Sequence, residues 1–252
     1  SAHYQTDLTK KKLSSLASVL QAAKKAKEGG ATRFCMGAAW RSPRNDDLEQ
    51  VKEMIAEVKK MGLETCVTLG MLKEQQAQEL KKAGLDYYNH NIDTSPEFYD
   101  KIVTTRSFHD RIETINYVDK AGIKVCCGLI IGMEESESDR ISALRTLANL
   151  NQPPKSVPIN MLIPMSGTPL QDAKPLHPFD FIRVIATARI IMPNSYVRLS
   201  AGREKMTDEM HALCFFAGAN SIFIGEDLLT AKNSLPQRDE FIMKSLNISS
   251  SS

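Results

Sequence analysis

The chain has 252 residues, of which 42% are hydrophobic and 25% are charged, with a formal net charge of +2. This near-neutral balance gives no sign of nucleic-acid binding, and no apolar run reaches the roughly 18 residues of a membrane span. Five cysteines without a signal-peptide core favour a reducing compartment, with thiol or metal chemistry instead of a disulfide framework.

Helical and strand patterns alternate along the chain. Apolar residues at helical spacing predict helices around 9–28, 47–60, 73–83, 108–118, 136–150, 179–192 and 207–217, the second capped by Asp46 or Asp47. Short aliphatic runs predict strands over 32–37, 64–69, 86–91, 124–132, 156–162, 196–200 and 221–224. The last residues, 249–252, are expected to fray.

Five of these helices end at a glycine directly before a strand: Gly30, Gly62, Gly84, Gly122 and Gly218. Glycine is favoured there because left-handed backbone ends a helix. Strands that alternate with helices predict a parallel sheet, and the length suits one (β/α)8 TIM-type barrel domain over residues 1–252. With seven strands predicted, the first strand of a closed barrel would precede the chain.

Three cysteines lie at equivalent depth near the carboxyl ends of separate predicted strands: Cys35, Cys66 and Cys126. The chemistry of such barrels gathers at these strand ends. Soft thiolates suit zinc or an iron–sulfur centre, and the lack of a C-x-x-C pair argues against a zinc ribbon. Arg198 shares this level, and the residues alone suggest that it donates hydrogen bonds beside the metal.

Each cysteine taken singly also fits a small buried hydrophobe. This interpretation holds for Cys214, which lies on a helix, and for Cys127, which points to the opposite face of its strand from Cys126. Gly128 and Gly132 follow on the same stretch. They are either turn glycines or positions at which a flat base approaches the backbone.

Polar side chains follow the third predicted strand. Asn89, Asn91 and Asp93 would share one face if that strand continued, with His90 directed away as a structural histidine. Amides both donate and accept, which suits hydroxyl-rich or urea-like ligands. Asp93 fits equally a helix cap or an Asx turn before Ser95.

Five longer stretches carry a family resemblance: residues 33–40, 84–91, 93–97, 156–160 and 196–203. In the same order and over essentially the whole chain, they resemble the biotin synthase family of radical S-adenosylmethionine enzymes. The fold implied is the barrel of that superfamily without its first strand. The reaction implied is the insertion of sulfur into dethiobiotin to form biotin.

The resemblance implies two iron–sulfur clusters. A 2Fe–2S cluster, the sulfur donor, would be held by Cys35, Cys66, Cys126 and Arg198, which makes the arginine a ligand. A 4Fe–4S cluster would cleave S-adenosylmethionine, and its C-x-x-x-C-x-x-C motif would lie just before Ser1. The chain as written is therefore expected to be incompetent by itself.

The resemblance also assigns residues to S-adenosylmethionine. Asn91 and Asp93 would hold its ribose, Arg111 would pair with its carboxylate, and Gly128 and Gly132 would belong to its adenine side. These roles are what the resemblance implies.

Asn89, Asn91 and Asn160 would face dethiobiotin by the same resemblance. The implied partners are an electron-donor protein of the flavodoxin or ferredoxin type and a second copy of the chain, with no nucleic acid and no membrane. The implied location is the cytoplasm, or the mitochondrion if the source is eukaryotic.

Cys127, Leu129 and Glu134 replace a serine and two glycines that are usual in the family. The packing of the pocket is therefore expected to differ. One alternative is an iron–sulfur- or zinc-binding remnant without turnover. Another is a Schiff-base aldolase, which needs a lysine at a strand's carboxyl end, whereas Lys124 lies at an amino end.

Overall fold

The computed structural model describes residues 12–225, 228 and 233–249. Its strands are β1 (Arg33–Gly37), β2 (Glu64–Thr68), β3 (Tyr87–Asn89), β4 (Lys124–Cys126), β5 (Leu129–Ile131), β6 (Ser156–Met161), β7 (Tyr196–Leu199) and β8 (Ser221–Ile222). The α-helices are α1 (Leu16–Glu28), α2 (Asn45–Lys60), α3 (Glu74–Lys82), α4 (Pro96–Ile102), α5 (Phe108–Lys120), α6 (Glu137–Ala148), α7 (Pro178–Ile191), α8 (Asp208–Phe216) and α9 (Pro236–Ser245). A 3-10 turn covers Arg203–Lys205.

Backbone contacts divide the chain into two compact units. The first unit contains residues 12–90 and 109–126, where β1, β2, β3 and β4 pair in that order. The second unit contains residues 91–108 and the described residues from 127 onward, where β5, β6, β7 and β8 pair in that order. All of these pairings are parallel.

Strand β2 in the first unit and strand β6 in the second are buried on both faces over most of their length, as their aliphatic runs predict, whereas β1 is partly exposed. In β2, Cys66 and Val67 point to opposite faces and both are buried. Helix α2 presents an apolar stripe at helical spacing to this core: Leu48, Val51, Met54, Ile55 and Val58. None of the described helices has the length and apolar content that crossing a membrane requires.

All five helix-ending glycines adopt the predicted left-handed backbone, with φ values from 72° to 118°. Gly122 illustrates the consequence for the neighbouring strand. Its N–H donates to the carbonyl of Asp119 (2.8 Å), and the Ile123 N–H donates to that of Val118 (3.1 Å). Helix α5 closes there, and β4 begins two residues later at Lys124.

The prediction of one strand over residues 124–132 is wrong. The stretch forms two strands, of which β4 pairs with β3 and β5 pairs with β6. The two residues between them, Cys127 and Gly128, belong to neither strand. The hydrophobic pattern does not mark this break, since both halves are equally aliphatic.

Several predicted helix boundaries are also wrong. Helix α1 starts at Leu16, because the Ser15 hydroxyl accepts from the Ser18 N–H (3.3 Å) and so caps it. The first predicted residues of that helix, 9–11, lie outside the described residues, as do 250–252 of the expected frayed tail. Helix α2 starts after Arg44, which leaves Asp46 and Asp47 in its first turn instead of at the cap.

A buried charged group joins three elements of the second unit. Arg203 donates to the Asp239 carboxylate and to the Phe223 carbonyl, the latter at 2.9 Å. Its Nε lies 3.4 Å from His211 Nε2, and the Ser234 hydroxyl donates to Asp239 at 3.0 Å. Helices α8 and α9 are thereby tied to the turn that follows β7.

This arrangement makes stability dependent on pH through His211. Burial, together with the nearby charges of Arg203 and Arg238, lowers the pKa of His211 to about 4. An unfolded histidine has a pKa of about 6.5, so folding favours the neutral ring. Its contribution is complete above about pH 6.5 and is lost as the pH falls towards 4.

We expect the free energy of unfolding to fall between pH 7 and pH 4, with His211 contributing on the order of 3 kcal/mol. Urea denaturation across this range measures the change, and the His211→Gln variant should lose correspondingly less. An identical pH dependence in the two chains would contradict the assignment.

Candidate functional site

The three predicted cysteine ligands meet in the first unit. Cys35 and Cys66 are directly paired across β1 and β2, and Cys126 ends β4. The Cys66 thiol lies within hydrogen-bonding reach of both other thiols. Cys66 and Cys126 are 2% and 1% exposed, whereas Cys35 is exposed. Residues 91 positions apart in the chain thus form one cluster of sulfur atoms.

Hydrogen bonding with Cys126 and then with Cys35, together with burial, raises the pKa of the Cys66 thiol well above its usual value. The Cys66 thiol therefore holds its proton until a metal displaces it. Within the described residues, no group of three or more His, Cys, Asp or Glu side chains is arranged to hold a single metal ion. A 2Fe–2S cluster divides its ligands between two irons, and three soft thiols fit that donor set.

A polar layer lies on the amino-end side of these thiols, and sequence reasoning missed it. The Arg33 guanidinium stacks 3.3 Å from the centroid of the Tyr87 ring, which packs against Cys66. Glu64 pairs with Arg33 at 3.0 Å and with Lys124 at 2.9 Å. The spacing in the sequence could have predicted this layer, since each of the three charged residues stands two positions before a cysteine and so lies on the same face of its strand.

Asn89 is the last residue of β3 and faces Cys126, its partner in the register. Its Nδ2 lies 3.3 Å from Cys126 Sγ and 3.5 Å from the Cys126 carbonyl oxygen. Its Oδ1 accepts from the Thr68 hydroxyl at 3.1 Å. His90, the next residue, is buried. The amide of Asn89 therefore lies beside the Cys126 sulfur atom.

The third strand does not continue to Asp93, so the predicted common face of the three polar residues is wrong. Asp93 has a left-handed φ of 68° and bridges to Leu129 in the second unit. The helix-cap alternative is also wrong, because Ser95 caps α4 by accepting from the Phe98 N–H (3.1 Å). Asn91, in the same segment, accepts from the Gly128 N–H at 3.0 Å.

The glycines of the second unit have separate structural reasons. A Cβ on Gly128 would overlap the carbonyl oxygen of Pro158 in β6, so only glycine fits at this position. Gly132 has a φ of 98°, and its N–H donates to the buried Glu135 carboxylate at 3.0 Å. Arg140 forms an ion pair with this carboxylate, with 2.7 Å between its Nε and Glu135 Oε1. The loop after β5 is therefore rigidly defined.

Asn160 connects three segments through its amide. Its Nδ2 donates to the Leu129 carbonyl at 2.9 Å, and its Oδ1 accepts from the Ala201 N–H at 3.1 Å. The side chain is thereby fixed at the carboxyl end of β6. Arg111, the other residue that the resemblance assigned, lies on α5 in the first unit.

Arg198 lies on β7 in the second unit and is 5% exposed. Its Nε donates to the Ser221 hydroxyl at 3.0 Å, and its guanidinium carbon lies 4.6 Å from the centroid of the Phe223 ring. Its Nη1 is buried and makes no hydrogen bond to the described residues. A buried donor left without a partner costs about 1–3 kcal/mol.

The other two cysteines are fully buried, as predicted. Burial raises the pKa of Cys214 to about 12, which makes its thiol inert. Cys127 lies between β4 and β5, where its N–H donates to the Ser156 carbonyl at 3.0 Å.

Comparison with known proteins identifies the family. Residues 2–147 match the model of the Radical SAM superfamily, and residues 158–249 match the Biotin and Thiamin Synthesis associated domain. The biotin synthase of Rickettsia felis is 60% identical over 248 residues, which cover 98% of this chain and 80% of that protein. The chain belongs to the biotin synthase family. The biotin synthase of Coxiella burnetii (strain Dugway 5J108-111) is 59% identical, covering 98% of this chain and 77% of that protein.

A solved structure confirms the predicted fold class. Methylornithine synthase (PylB) superposes with a TM-score of 0.80 at 18% identity, covering 96% of this chain and 74% of that one. The fold is that of the radical S-adenosylmethionine enzymes, a partial TIM-type barrel of parallel strands. Membership of the biotin synthase family makes this a radical sulfurtransferase, and the superfamily implies a 4Fe–4S cluster and S-adenosylmethionine.

We expect Gly128→Ala to destabilise the chain by about 1–3 kcal/mol or more, because the added methyl group has to displace the backbone of β6. Chemical denaturation measures the loss. Gly29→Ala is the matched control, since its Cβ would meet nothing closer than 3.4 Å and the φ of Gly29 is −80°. Equal effects of the two substitutions would show that the strand contact is not limiting.

Proposed function

We propose that this member of the biotin synthase family carries the sulfur-insertion site, with Cys35, Cys66, Cys126 and Arg198 holding a 2Fe–2S cluster. The observation that carries the proposal is the meeting of three thiols from β1, β2 and β4. When bound, the cluster supplies the sulfur atom that enters dethiobiotin. Arg198 Nη1 is buried and makes no hydrogen bond within the described part of the chain, which supports the proposed role of Arg198 as the fourth ligand.

The protein's own contribution is to fix the Cys66 and Cys126 thiols and to exclude water from them, whereas Cys35 is exposed. Cys66 lies in the interior of β2 and Cys126 at the end of β4, and both are buried, so their side chains have little freedom. The cations Arg33 and Lys124 lie on the amino-end side, where both pair with the Glu64 carboxylate. Nearby cations favour a negatively charged thiolate cluster.

S-adenosylmethionine is assigned to the segment after β3 and to the loops around β5. Asn91 and Asp93 would hold its ribose, and Gly128 and Gly132 would line its adenine side. Arg111 would pair with its carboxylate. Support comes from the defined backbone there, since the Gly128 N–H bonds to Asn91 Oδ1 and Asp93 is held by its bridge to Leu129.

Dethiobiotin is assigned to Asn89, Asn91 and Asn160, because its ureido ring presents a carbonyl and two N–H groups that amides complement. Asn160 is fixed by Leu129 and Ala201, so it would need no reorientation on binding. An electron donor of the flavodoxin or ferredoxin type and a homodimeric assembly complete the proposal. Their support is the family relationship alone.

The ligand assignment predicts a sharp division among the cysteines. After anaerobic reconstitution, Cys35→Ser, Cys66→Ser or Cys126→Ser should abolish the visible absorption of the 2Fe–2S centre. Cys214→Ser is the control and should retain this absorption, because the Cys214 thiol is buried on α8 and is not one of the proposed ligands. The assignment is wrong if Cys214 is required and Cys66 is dispensable.

Removing a buried amide that faces the ureido ring should cost about 1–3 kcal/mol of binding free energy. In a chain that binds both substrates, Asn160→Ala should weaken the binding of dethiobiotin and leave the binding of S-adenosylmethionine unchanged. Asn91→Ala should weaken the binding of both. Calorimetry on variants with native circular dichroism measures this, with the exposed Asn149→Ala as control. Unchanged dethiobiotin affinity in both variants would remove them from the site.

The printed chain contains no C-x-x-x-C-x-x-C motif, which holds the 4Fe–4S cluster in the family. Residues 1–252 alone should therefore form neither 5′-deoxyadenosine nor biotin in an anaerobic assay with reductant and both substrates. A chain extended upstream through that motif should form both. Product from residues 1–252 alone would overturn the expectation, and an inactive extended chain would favour the remnant alternative.

A further inference from the structure

A second layer of polar side chains lies on the carboxyl-end side of the thiols. Thr68 stands two residues after Cys66 on β2, and Asn89 stands two residues after Tyr87 on β3. Because Cys66 and Tyr87 are register partners, Thr68 and Asn89 lie side by side one step further along the same face. The Thr68 hydroxyl donates to Asn89 Oδ1 at 3.1 Å.

The orientation of the Asn89 amide is set by what surrounds it. On one side lie Cys126 Sγ at 3.3 Å and the Cys126 carbonyl oxygen at 3.5 Å. A carbonyl oxygen only accepts, and a metal-bound cysteine sulfur has no proton to donate. A reversed amide would place its oxygen against both acceptors, so the nitrogen faces Cys126. The Oδ1 then needs a donor on the opposite side, and Thr68 is that donor.

We propose that Thr68 is a positioning residue that holds the Asn89 amide so that its N–H group donates to the Cys126 sulfur. The proposal rests on the proposed function, in which Cys126 ligates the 2Fe–2S cluster. Hydrogen bonds to sulfur are one of the levers that set the reduction potential of such clusters. A donor stabilises the more negative, reduced form, so this N–H group raises the potential.

Loss of the hydroxyl has a defined consequence. In Thr68→Val the side chain keeps its shape but cannot donate, and Asn89 Oδ1 is left without that bond. The amide then gains by turning towards other donors, which weakens its bond to Cys126 Sγ. Thr68→Ser retains a hydroxyl at the same position and should behave as the parent chain does.

The experiment is a redox titration of the reconstituted whole chain, with the midpoint potential of the 2Fe–2S centre read by visible absorption. Thr68→Val should shift the midpoint to more negative values, and Thr68→Ser should leave it in place. Thr65→Val is the matched control on the same strand, because the Thr65 hydroxyl bonds to Asp86 and Gly84 instead. A midpoint in Thr68→Val equal to that of the parent would overturn the proposal.

A second measurement separates this proposal from the proposed function. If the parent chain holds no 2Fe–2S absorption, the cluster assignment fails, and the side-chain amide of Asn89 is examined in the iron-free chain by nitrogen-15 NMR. Thr68→Val should shift its signals or split them into two orientations, and Thr68→Ser should not. Signals that are unaffected by Thr68→Val would show that the hydroxyl does not hold the amide.

Discussion

In-register parallel pairing is the constraint on which the sulfur site depends. Cys35 lies opposite Cys66 because β1 and β2 pair from Arg33 and Glu64 onward. Asn89 lies opposite Cys126 for the same reason on β3 and β4. A slip of one residue would turn a strand's thiol to the other face and remove it from the cluster. A left-handed glycine ends the helix two or three residues before each of these strands.

The first unit stacks three kinds of chemistry along its strands. Charged side chains lie on the amino-end side, thiols lie in the middle, and hydroxyl and amide groups lie on the carboxyl-end side. Within the charged layer, Arg33 and Lys124 both donate hydrogen bonds to the Glu64 carboxylate, whose negative charge opposes theirs. These cations lie on the amino-end side of the layer in which thiolates would carry negative charge. In the metal-free chain the Cys66 thiol holds its proton, as its raised pKa indicates.

Local signals predicted the parts of this arrangement that depend on neighbours in the chain. The glycine stops, the alternation of strands and helices, and the convergence of three cysteines from separate strands all follow from spacing. The break between β4 and β5 does not, because both halves are equally aliphatic. The requirement for glycine at position 128 is likewise tertiary, since it comes from the approach of the Pro158 carbonyl. The bonds of Asn89 to Thr68 and Cys126 join residues 21 and 37 positions away.

Two buried arginines near the end of β7 show how burial alone fails to define a role. Arg203 forms an ion pair with the Asp239 carboxylate and also donates to the Phe223 carbonyl, so its positive charge is balanced within the fold. Arg198 has a hydroxyl and an aromatic ring as partners, and no carboxylate pairs with it among the described residues. A buried cation without a counter-charge is costly unless a negative group binds it. The first arginine therefore stabilises the packing of α8 and α9, whereas the second is suited to an anionic ligand such as the proposed cluster.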